Sequence, residues 1–308
     1  RKIVEPLLRI LDGNQVVFAP NFFLHRDQEP FGQAQVATVH DLAFAVMPKT
    51  VSPATLEGLK RHLPRTLYQA DVLIAVSDAT AGELVDRLRV SPRSTRTIHE
   101  GVDPEFAECA EIQAPADISG PYLLFVSTLE PRKNVVGVLR AFRLLVEWGY
   151  QGELVMVGRW GWRTDAIRDE LESSPVRDRI RHLDYVDRPQ LMVLYGGADA
   201  LLFPSWIEGF GLPLIESMAC GTPVITSGTT AMPEIAGPAA IYVDPDSPHS
   251  IASATAALLR DPHHRDRLVA LGRERAQKFS WDRAAEATAQ VLRDVAGLSV
   301  EGADEFRA

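Results

Sequence analysis

The sequence predicts an α/β protein with two doubly wound domains, in which helices cover both faces of parallel sheets. Short apolar runs rich in β-branched residues recur without alternation, as in strands buried on both faces of a sheet. The stretches between them carry apolar residues at helical spacing, so strand and helix alternate. A length of 308 residues fits two such domains, each with a core of its own.

The apolar runs place the predicted strands along the chain. They lie at 16–18, 36–39, 72–76, 123–126, 154–157, 200–203 and 223–226. With weaker candidates included, about three strands fit before residue 104 and about six after it. A doubly wound domain rarely stops at three strands, so we expect the N-terminal domain to be incomplete.

The stretches between the strands give the helices and the domain boundaries. The apolar positions of 135–146 share one face, opposite Arg140 and Arg143, which predicts a helix. Residues 104–121 lack periodicity and have turn formers at both ends, so we interpret them as the interdomain linker. The predicted organisation is an N-terminal domain over 1–112, a C-terminal domain over 113–280 and a final helix over 281–296.

Composition excludes several classes of protein. With 32 basic against 41 acidic residues the net charge is −9, which argues against a nucleic-acid-coating surface. No apolar run approaches the ~18 residues of a membrane-spanning helix. The two cysteines, Cys109 and Cys220, are too few for a disulfide framework and lack metal-ligand spacing, so we expect a reducing, intracellular setting.

The most informative stretch runs from Phe203 to Gly221. A strand is predicted to end at Phe203, a loop with two glycines follows, and Pro213 suits the start of a helix that Gly221 closes. The backbone N–H groups of the loop, residues 209–212, would then meet at a helix N-terminus. Such an arrangement binds anions such as a diphosphate, although a plain tight turn is the alternative.

Charged side chains surround this predicted anion site. Glu208 and Glu216 flank the loop, and carboxylates accept hydrogen bonds from sugar hydroxyls. Arg132 and Lys133 follow the strand at 123–126, at the same sheet edge, and could neutralise a diphosphate without a metal. Asn134 is predicted to cap the next helix. The alternative for the two cations is a solvated basic turn.

A histidine follows one of the N-terminal strands. His40 and Asp41 come directly after the strand at 36–39, where His40 could hydrogen-bond a hydroxyl or stabilise developing charge in an interdomain cleft. The alternatives are that His40 closes a loop and that Asp41 caps a turn. The remaining histidines show no metal-ligand pattern.

In combination these motifs resemble the family 4 retaining glycosyltransferases, over residues from about 16 to 295. The most specific part is the E-x7-E element, Glu208 to Glu216, with its continuation at 218–224. The residues within these motifs are most similar to those of the bacterial mannosyltransferase-like, polysaccharide-assembly branch of the family. The motifs that carry the resemblance are 38–41 (TVHD), 76–80 (VSDAT), 101–103 (GVD), 129–134 (LEPRKN), 158–162 (GRWGW), 185–186 (YV), 208–216 (EGFGLPLIE) and 218–224 (MACGTPV).

The resemblance implies a GT-B fold, in which two Rossmann-like domains face a cleft and the C-terminal one holds a nucleotide-sugar donor. His40 and Glu208 would lie at the reacting sugar. The donor-binding residues would be Thr128, Arg132, Lys133, Tyr185, Val186, Glu208, Gly209, Phe210, Gly211, Leu212 and Glu216. Among these, Tyr185 and Val186 fall at the nucleobase, Glu216 at the ribose, and Arg132 with Lys133 at the diphosphate. Thr128 stands where the family commonly has an arginine.

The implied activity is retaining, metal-independent transfer of a hexose to a glycan, lipid-linked or small-molecule hydroxyl. Mannose from GDP-mannose is the first expectation, with a UDP-hexose as the alternative. The location would be cytoplasmic, with peripheral contact at the inner membrane face left open. Two rival interpretations are a non-catalytic nucleotide-sugar-binding or scaffolding relative and a GT-B sugar-nucleotide epimerase. The family's first strand and glycine-rich loop are not found before Val16, so roughly the first 60 residues of a usual N-terminal domain are expected to be absent.

Overall fold

The computed structural model describes residues 16–24, 34–111, 118 and 120–297. These residues fall into two compact units. The first unit contains the described residues up to Leu42, Pro53–His99, and those from Asp282 onward. The second unit contains Ala43–Ser52 and Glu100–Trp281.

Strands and helices alternate along the chain, as the sequence predicts. The strands are β1 Val16–Ala19, β2 Ala34–Val39, β3 Val72–Ala75, β4 Thr95–Thr97, β5 Tyr122–Val126, β6 Glu153–Val157, β7 Ile180–Leu183, β8 Ala200–Phe203, β9 Val224–Ser227 and β10 Ala240–Val243. The helices are α1 Ala43–Val46, α2 Pro53–Gln69, α3 Asp78–Leu88, α4 Val135–Glu147, α5 Asp165–Glu172, α6 Arg188–Gly197, α7 Leu212–Ala219, α8 Met232–Ala236, α9 Pro248–Arg260, α10 Pro262–Ala276 and α11 Trp281–Val295.

The described part of the first unit is built on a parallel sheet in the order β1-β2-β3-β4. Its core joins Phe18, Val36 and Ile74 of the sheet to Leu292 of α11. The final helix thus packs on this sheet through one apolar face. Strand β4 was not predicted, because its three residues are polar and none of them is buried.

The second unit is a parallel sheet in the order β10-β9-β8-β5-β6-β7. Strands β5 and β8 are apolar and almost entirely buried, which explains why their sequences alone predicted them. Strand β9 is fully buried as well and begins with the apolar pair Val224 and Ile225. Strands β7 and β10 lie at the two sheet edges. Arg181 and His182 break the apolar run of β7, whereas β10 keeps its apolar sequence but exposes Tyr242.

The boundary between the units differs from the predicted one. The division falls between His99 and Glu100, whereas residues 104–121 were expected to be a linker. Pro104–Glu111 is instead a 3-10 helix that buries Phe106 and packs it edge-on against Tyr195 at 6.0 Å. Residues 112–117 and 119 lie outside the described residues. The segment Ala43–Ser52 also belongs to the second unit.

A disulfide joins Cys109 of this 3-10 helix to Cys220 at the end of α7. The sequence did not predict the bond, because the residues are 111 positions apart and only the fold brings their Cα atoms to 5.1 Å. The inference of a reducing setting from the cysteine count therefore loses its support.

Among the helices of the described residues, none is both long and apolar enough to cross a membrane.

Candidate functional site

The sheet of the second unit reverses its winding between β5 and β8. Strands β6 and β7 extend the sheet on the β5 side, while β9 and β10 extend it on the β8 side. Ligands of open α/β sheets bind outside the carboxyl ends of the strands at such a point. The residues after β5 carry Arg132 and Lys133, and those after β8 carry Glu208. The fold therefore brings the two predicted motifs to the place where a ligand is expected.

A cluster of four charged side chains lies at this point. Lys133 Nζ donates to both carboxylate oxygens of Glu208, at 2.6 Å and 2.7 Å. Arg132 Nη1 donates to Glu208 Oε2 at 3.2 Å and to the carbonyl oxygen of Ile207 at 3.1 Å. Arg132 Nε pairs with Glu130 Oε1 at 2.6 Å. The carboxylate of Glu208 is thus held by both cations.

The two glutamates of the cluster have opposite electrostatics. Burial raises the pKa of Glu208, but Lys133 and Arg132 together outweigh burial and hold that pKa below its ordinary value. For Glu130 burial wins, so its pKa is raised although Arg132 and Lys133 act against the shift. Glu130 is 1% exposed, and its second oxygen, Oε2, is buried without a hydrogen-bond partner. Glu208 is therefore the firmly ionised member.

The contacts of Glu208 with Lys133 and Arg132 change the roles expected for these three residues. The sequence suggested that Arg132 and Lys133 face a diphosphate while Glu208 meets sugar hydroxyls. In the structure, Lys133 and Arg132 neutralise the Glu208 carboxylate directly. An incoming anion would compete with Glu208 for Lys133 and Arg132, so binding it requires these three groups to share or exchange partners.

Glycines lie at both ends of α7, and the one after the helix was predicted to close it. Gly211, the residue before α7, has a left-handed backbone with φ +97°, which glycine adopts without strain. Pro213 lies in the first turn of the helix. Gly221, with φ +79°, follows the end of the helix. The Glu208 N–H is taken by the Thr230 hydroxyl at 3.1 Å. Because Glu208 belongs to both this loop and the charged cluster, the loop that leads into α7 lies next to the cluster.

Glu216 lies in the second turn of α7 and has a partner on α6. Tyr195 donates its hydroxyl to Glu216 Oε2 at 2.9 Å. Burial raises the pKa of Glu216, while the Tyr195 hydrogen bond and the charge of Arg188 limit the rise. This carboxylate can accept hydrogen bonds from a ligand when it is ionised.

Asn134 occupies the position before α4 but does not cap it with its side chain. Its backbone is left-handed, with φ +57°, and no side-chain cap hydrogen bond forms. Its Nδ2 instead donates to the carbonyl oxygens of Pro204 and Pro245, at 3.1 Å and 2.7 Å. The predicted cap is wrong, because the amide is used to tie the loops after β8 and β10 to the β5 loop.

The predicted nucleobase residues lie beyond β7. Tyr185 is 63% exposed, and the guanidinium of Arg159 lies 5.1 Å from its ring centre. Val186 is partly buried and precedes Asp187, which caps α6. Thr128 is exposed in the loop after β5. Their roles toward a ligand stay predictions.

His40 belongs to the first unit, whereas the charged cluster belongs to the second. Its Nε2 lies 2.9 Å from the carbonyl oxygen of Pro20, which fixes the proton on Nε2 because a carbonyl only accepts. Its ring is 6.0 Å from that of Phe22. His40 therefore does serve to close a loop, and its catalytic role stays a prediction.

Three residues that contact predicted site residues were not predicted from the sequence: Glu130, Tyr195 and Arg159. Glu130 stands in the motif at 129–134, and a glutamate two positions before an arginine was a usable signal. Tyr195 gave none, because its pairing with Glu216 depends on the packing of α6 against α7. Within the described ranges, no three His, Cys, Asp or Glu side chains come together as a metal site.

Comparisons with known proteins agree with this geometry. The family profile described as "Glycosyl transferases group 1" matches residues 111–275, and that described as "Glycosyltransferase Family 4" matches residues 16–106. O-antigen chain mannosyltransferase B of Escherichia coli is 31% identical over 87% of this chain and 71% of its own length. D-inositol 3-phosphate glycosyltransferase of Kineococcus radiotolerans is 32% identical over 73% of this chain, which spans 57% of that protein.

Solved structures match most of the fold. Sucrose-phosphate synthase from Thermosynechococcus elongatus aligns with a TM-score of 0.73 at 26% identity, over 92% of this chain and 74% of that one. Anabaena HepE, solved with UDP-glucose, aligns with a TM-score of 0.72 at 18% identity, over 85% of this chain and 72% of that one. These matches confirm the predicted GT-B fold class.

Proposed function

The chain belongs to glycosyltransferase family 4, and we propose that it transfers a hexose from a nucleoside diphosphate sugar to a hydroxyl acceptor, with retention of configuration and without a divalent metal. The observation that supports this most is the Glu208 carboxylate held between Lys133 and Arg132 at the winding reversal of the sheet. This arrangement places carboxylate oxygens, which can accept hydrogen bonds from sugar hydroxyls, beside two cations at a point of the sheet suited to a nucleotide.

The proposed chemistry follows from these charges. As the bond between the sugar and the diphosphate breaks, the leaving diphosphate gains negative charge, which Lys133, Arg132 and the N-terminal end of α7 would stabilise. The acceptor oxygen bonds to the anomeric carbon on the face that the diphosphate leaves, and a phosphate oxygen takes the acceptor proton. Two cations at the site supply the positive charge that a metal would otherwise provide.

Glu208 is better suited to binding the donor than to attacking it. A carboxylate bonded by an ammonium and a guanidinium has its lone pairs engaged, which weakens it as a nucleophile. Its remaining capacity to accept hydrogen bonds suits sugar hydroxyls. We therefore propose Glu208 as a donor-sugar binder, and Glu216 as the residue that accepts from the ribose.

Mannose is the proposed sugar, because O-antigen chain mannosyltransferase B and the WbdA mannosyltransferases are among the relatives at 31% identity. The base of the donor is proposed as guanine, with uracil as the competing choice since HepE was solved with UDP-glucose. The acceptor and a cytoplasmic location, with or without contact to the inner membrane face, stay predictions of the family resemblance.

The test is transfer from labelled GDP-mannose and UDP-glucose, with a panel of sugar and lipid-linked hydroxyl acceptors. Product formation that persists in EDTA, with the anomeric configuration of the donor seen by NMR, is the expected result. Arg140→Met removes a cation that pairs with Glu170 away from the charged cluster, so this variant should keep the transfer activity of the wild type. Tight donor binding without transfer or donor hydrolysis would favour a non-catalytic binding protein, and an inverted product would contradict the proposed mechanism.

A further inference from the structure

Tyr195 is a fully buried tyrosine whose hydroxyl reaches a residue of the candidate site. It lies on α6 and is 0% exposed, and it donates to Glu216 Oε2 at 2.9 Å. The ring is held edge-on by Phe106 at 6.0 Å. Its backbone carbonyl accepts the hydroxyl of Thr222, in the turn after α7. The backbone and the ring of Tyr195 are therefore both held by neighbouring residues, so its hydroxyl has a defined position relative to Glu216.

We propose that Tyr195 is a positioning residue that fixes the Glu216 carboxylate to accept the hydroxyls of the donor ribose. The inference rests on the proposed function. A glutamate side chain has several freely rotating bonds, and one hydrogen bond from a rigid donor removes most of that freedom before the ligand arrives. With Oε2 held by Tyr195, the range of positions open to the carboxylate narrows, and Oε1 is left to accept from a ribose hydroxyl.

The hydrogen bond also has a second effect on Glu216. Burial raises the pKa of this carboxyl, and two groups oppose the rise, the Tyr195 hydroxyl and the Arg188 guanidinium, both from α6. An ionised carboxylate accepts from two hydroxyls, whereas the protonated form has a donor in place of one acceptor. Tyr195 thus favours both the orientation and the charge state that a diol requires.

A comparison of two ligands isolates this role. For whichever of GDP and UDP the wild-type protein binds, the affinities for the ribose form and for its 2′,3′-dideoxy analogue are measured by calorimetry, and their ratio reports ribose recognition. Tyr195→Phe should lower the ratio about tenfold by weakening only the ribose form, as expected for a lost hydrogen bond to a charged group. The KM for the donor should rise accordingly, with kcat close to that of the wild type.

A purely structural role would not change this ratio, and Tyr150→Phe provides the matched control. Tyr150 donates to the carboxylate of Asp199 at 2.9 Å, so its replacement removes the same kind of hydrogen bond from the same unit. We expect Tyr150→Phe to lower the melting temperature and leave the ratio unchanged. In Tyr195→Phe/Glu216→Gln the ratio should equal that of Glu216→Gln alone, because Tyr195 acts only through Glu216.

The outcomes separate this inference from the function on which it rests. A Tyr195→Phe protein with a wild-type ratio, alongside a Glu216→Gln protein that loses it, overturns the role of Tyr195 and leaves the function intact. A wild-type protein that binds neither GDP nor UDP overturns both. A Glu216→Gln protein that keeps the ratio overturns the ribose role of Glu216 and with it the role of Tyr195, and hexose transfer by the wild-type protein then decides the proposed function separately.

A second measurement does not depend on the folding of Tyr195→Phe. Replacing Tyr195 by 3,5-difluorotyrosine keeps the ring and makes its hydroxyl a stronger donor. The loss of ribose-form affinity at acid pH should then move to lower pH, since a stronger bond favours the ionised Glu216. An unchanged acid limb would contradict the proposal.

Discussion

Lys133 bonds both carboxylate oxygens of Glu208, at 2.6 Å and 2.7 Å, across a sequence separation of 75 residues. The Glu208 carboxylate is nearly buried, and among the groups around it Lys133 contributes most to keeping it ionised. The loop after β5 and the loop after β8 are therefore linked by a charge pair at the point where a ligand is expected.

Lys133→Met should reduce both activity and stability. Without Lys133, the buried Glu208 carboxylate keeps only Arg132 as a cationic partner, and this loss should cost about 3 kcal/mol in the free energy of unfolding. The transfer rate should fall at least about a hundredfold, because a cation aimed at the leaving diphosphate is lost. Urea unfolding and steady-state kinetics measure the two effects.

The double variant Lys133→Met/Glu208→Gln separates these effects. With both charges removed, stability should recover most of the loss, while activity should not recover. Arg140→Met, at an exposed pair, should change stability by less than about 1 kcal/mol. Near-normal transfer by Lys133→Met and by Glu208→Ala would contradict the assignment of the site.

Glu130→Gln should make the protein relatively more stable as pH rises. Burial raises the pKa of folded Glu130, so the wild-type protein loses stability as pH rises through that pKa, and the neutral amide has no such loss. The difference in unfolding free energy, variant minus wild type, should therefore grow from about pH 4.3, near the ordinary glutamate value, upward. Urea unfolding at several pH values measures it.

The exposed residue Glu147 on α4 provides the control for this titration. Glu147→Gln removes one negative charge from a surface pair with Arg143. Its stability difference from the wild type should stay within about 0.5 kcal/mol across the range. If the difference for Glu130→Gln stays flat or falls with pH, the raised pKa of Glu130 is wrong.

The predictable parts of this molecule were those encoded locally. The buried strands β5 and β8 and the left-handed glycine Gly221 after α7 follow from periodicity and backbone chemistry in neighbouring residues. The edge strand β4 did not, because its sequence lacks an apolar run. Partners distant in sequence could not be predicted either: Tyr195 meets Glu216 only because α6 and α7 pack together.

Asn134→Ala should destabilise the second unit by about 2–4 kcal/mol. The change removes two buried hydrogen bonds, to Pro204 and Pro245 carbonyl oxygens, and keeps a side chain on a left-handed backbone. Asn134→Gly loses the same bonds but relieves the backbone, so it should be about 1 kcal/mol more stable than Asn134→Ala. Urea unfolding of both variants measures this. Equal stability of the asparagine and alanine proteins would show that the two bonds contribute nothing.

Gly158→Ala should disturb the loop after β5 as well as the stability of the fold. Gly158 has φ +146°, and a Cβ there would lie 1.8 Å from the carbonyl oxygen of Ser127, so the backbone of Ser127 and Thr128 must move. We expect a loss of about 2–4 kcal/mol, together with a raised KM for the donor. Gly149→Ala is the matched control, since Gly149 also has positive φ, +99°, but a Cβ there meets nothing within 4 Å. It should cost only about 1–2 kcal/mol of backbone strain and leave the KM unchanged. If the two variants behave alike in urea unfolding and in kinetics, the close approach of Gly158 to Ser127 does not shape the site.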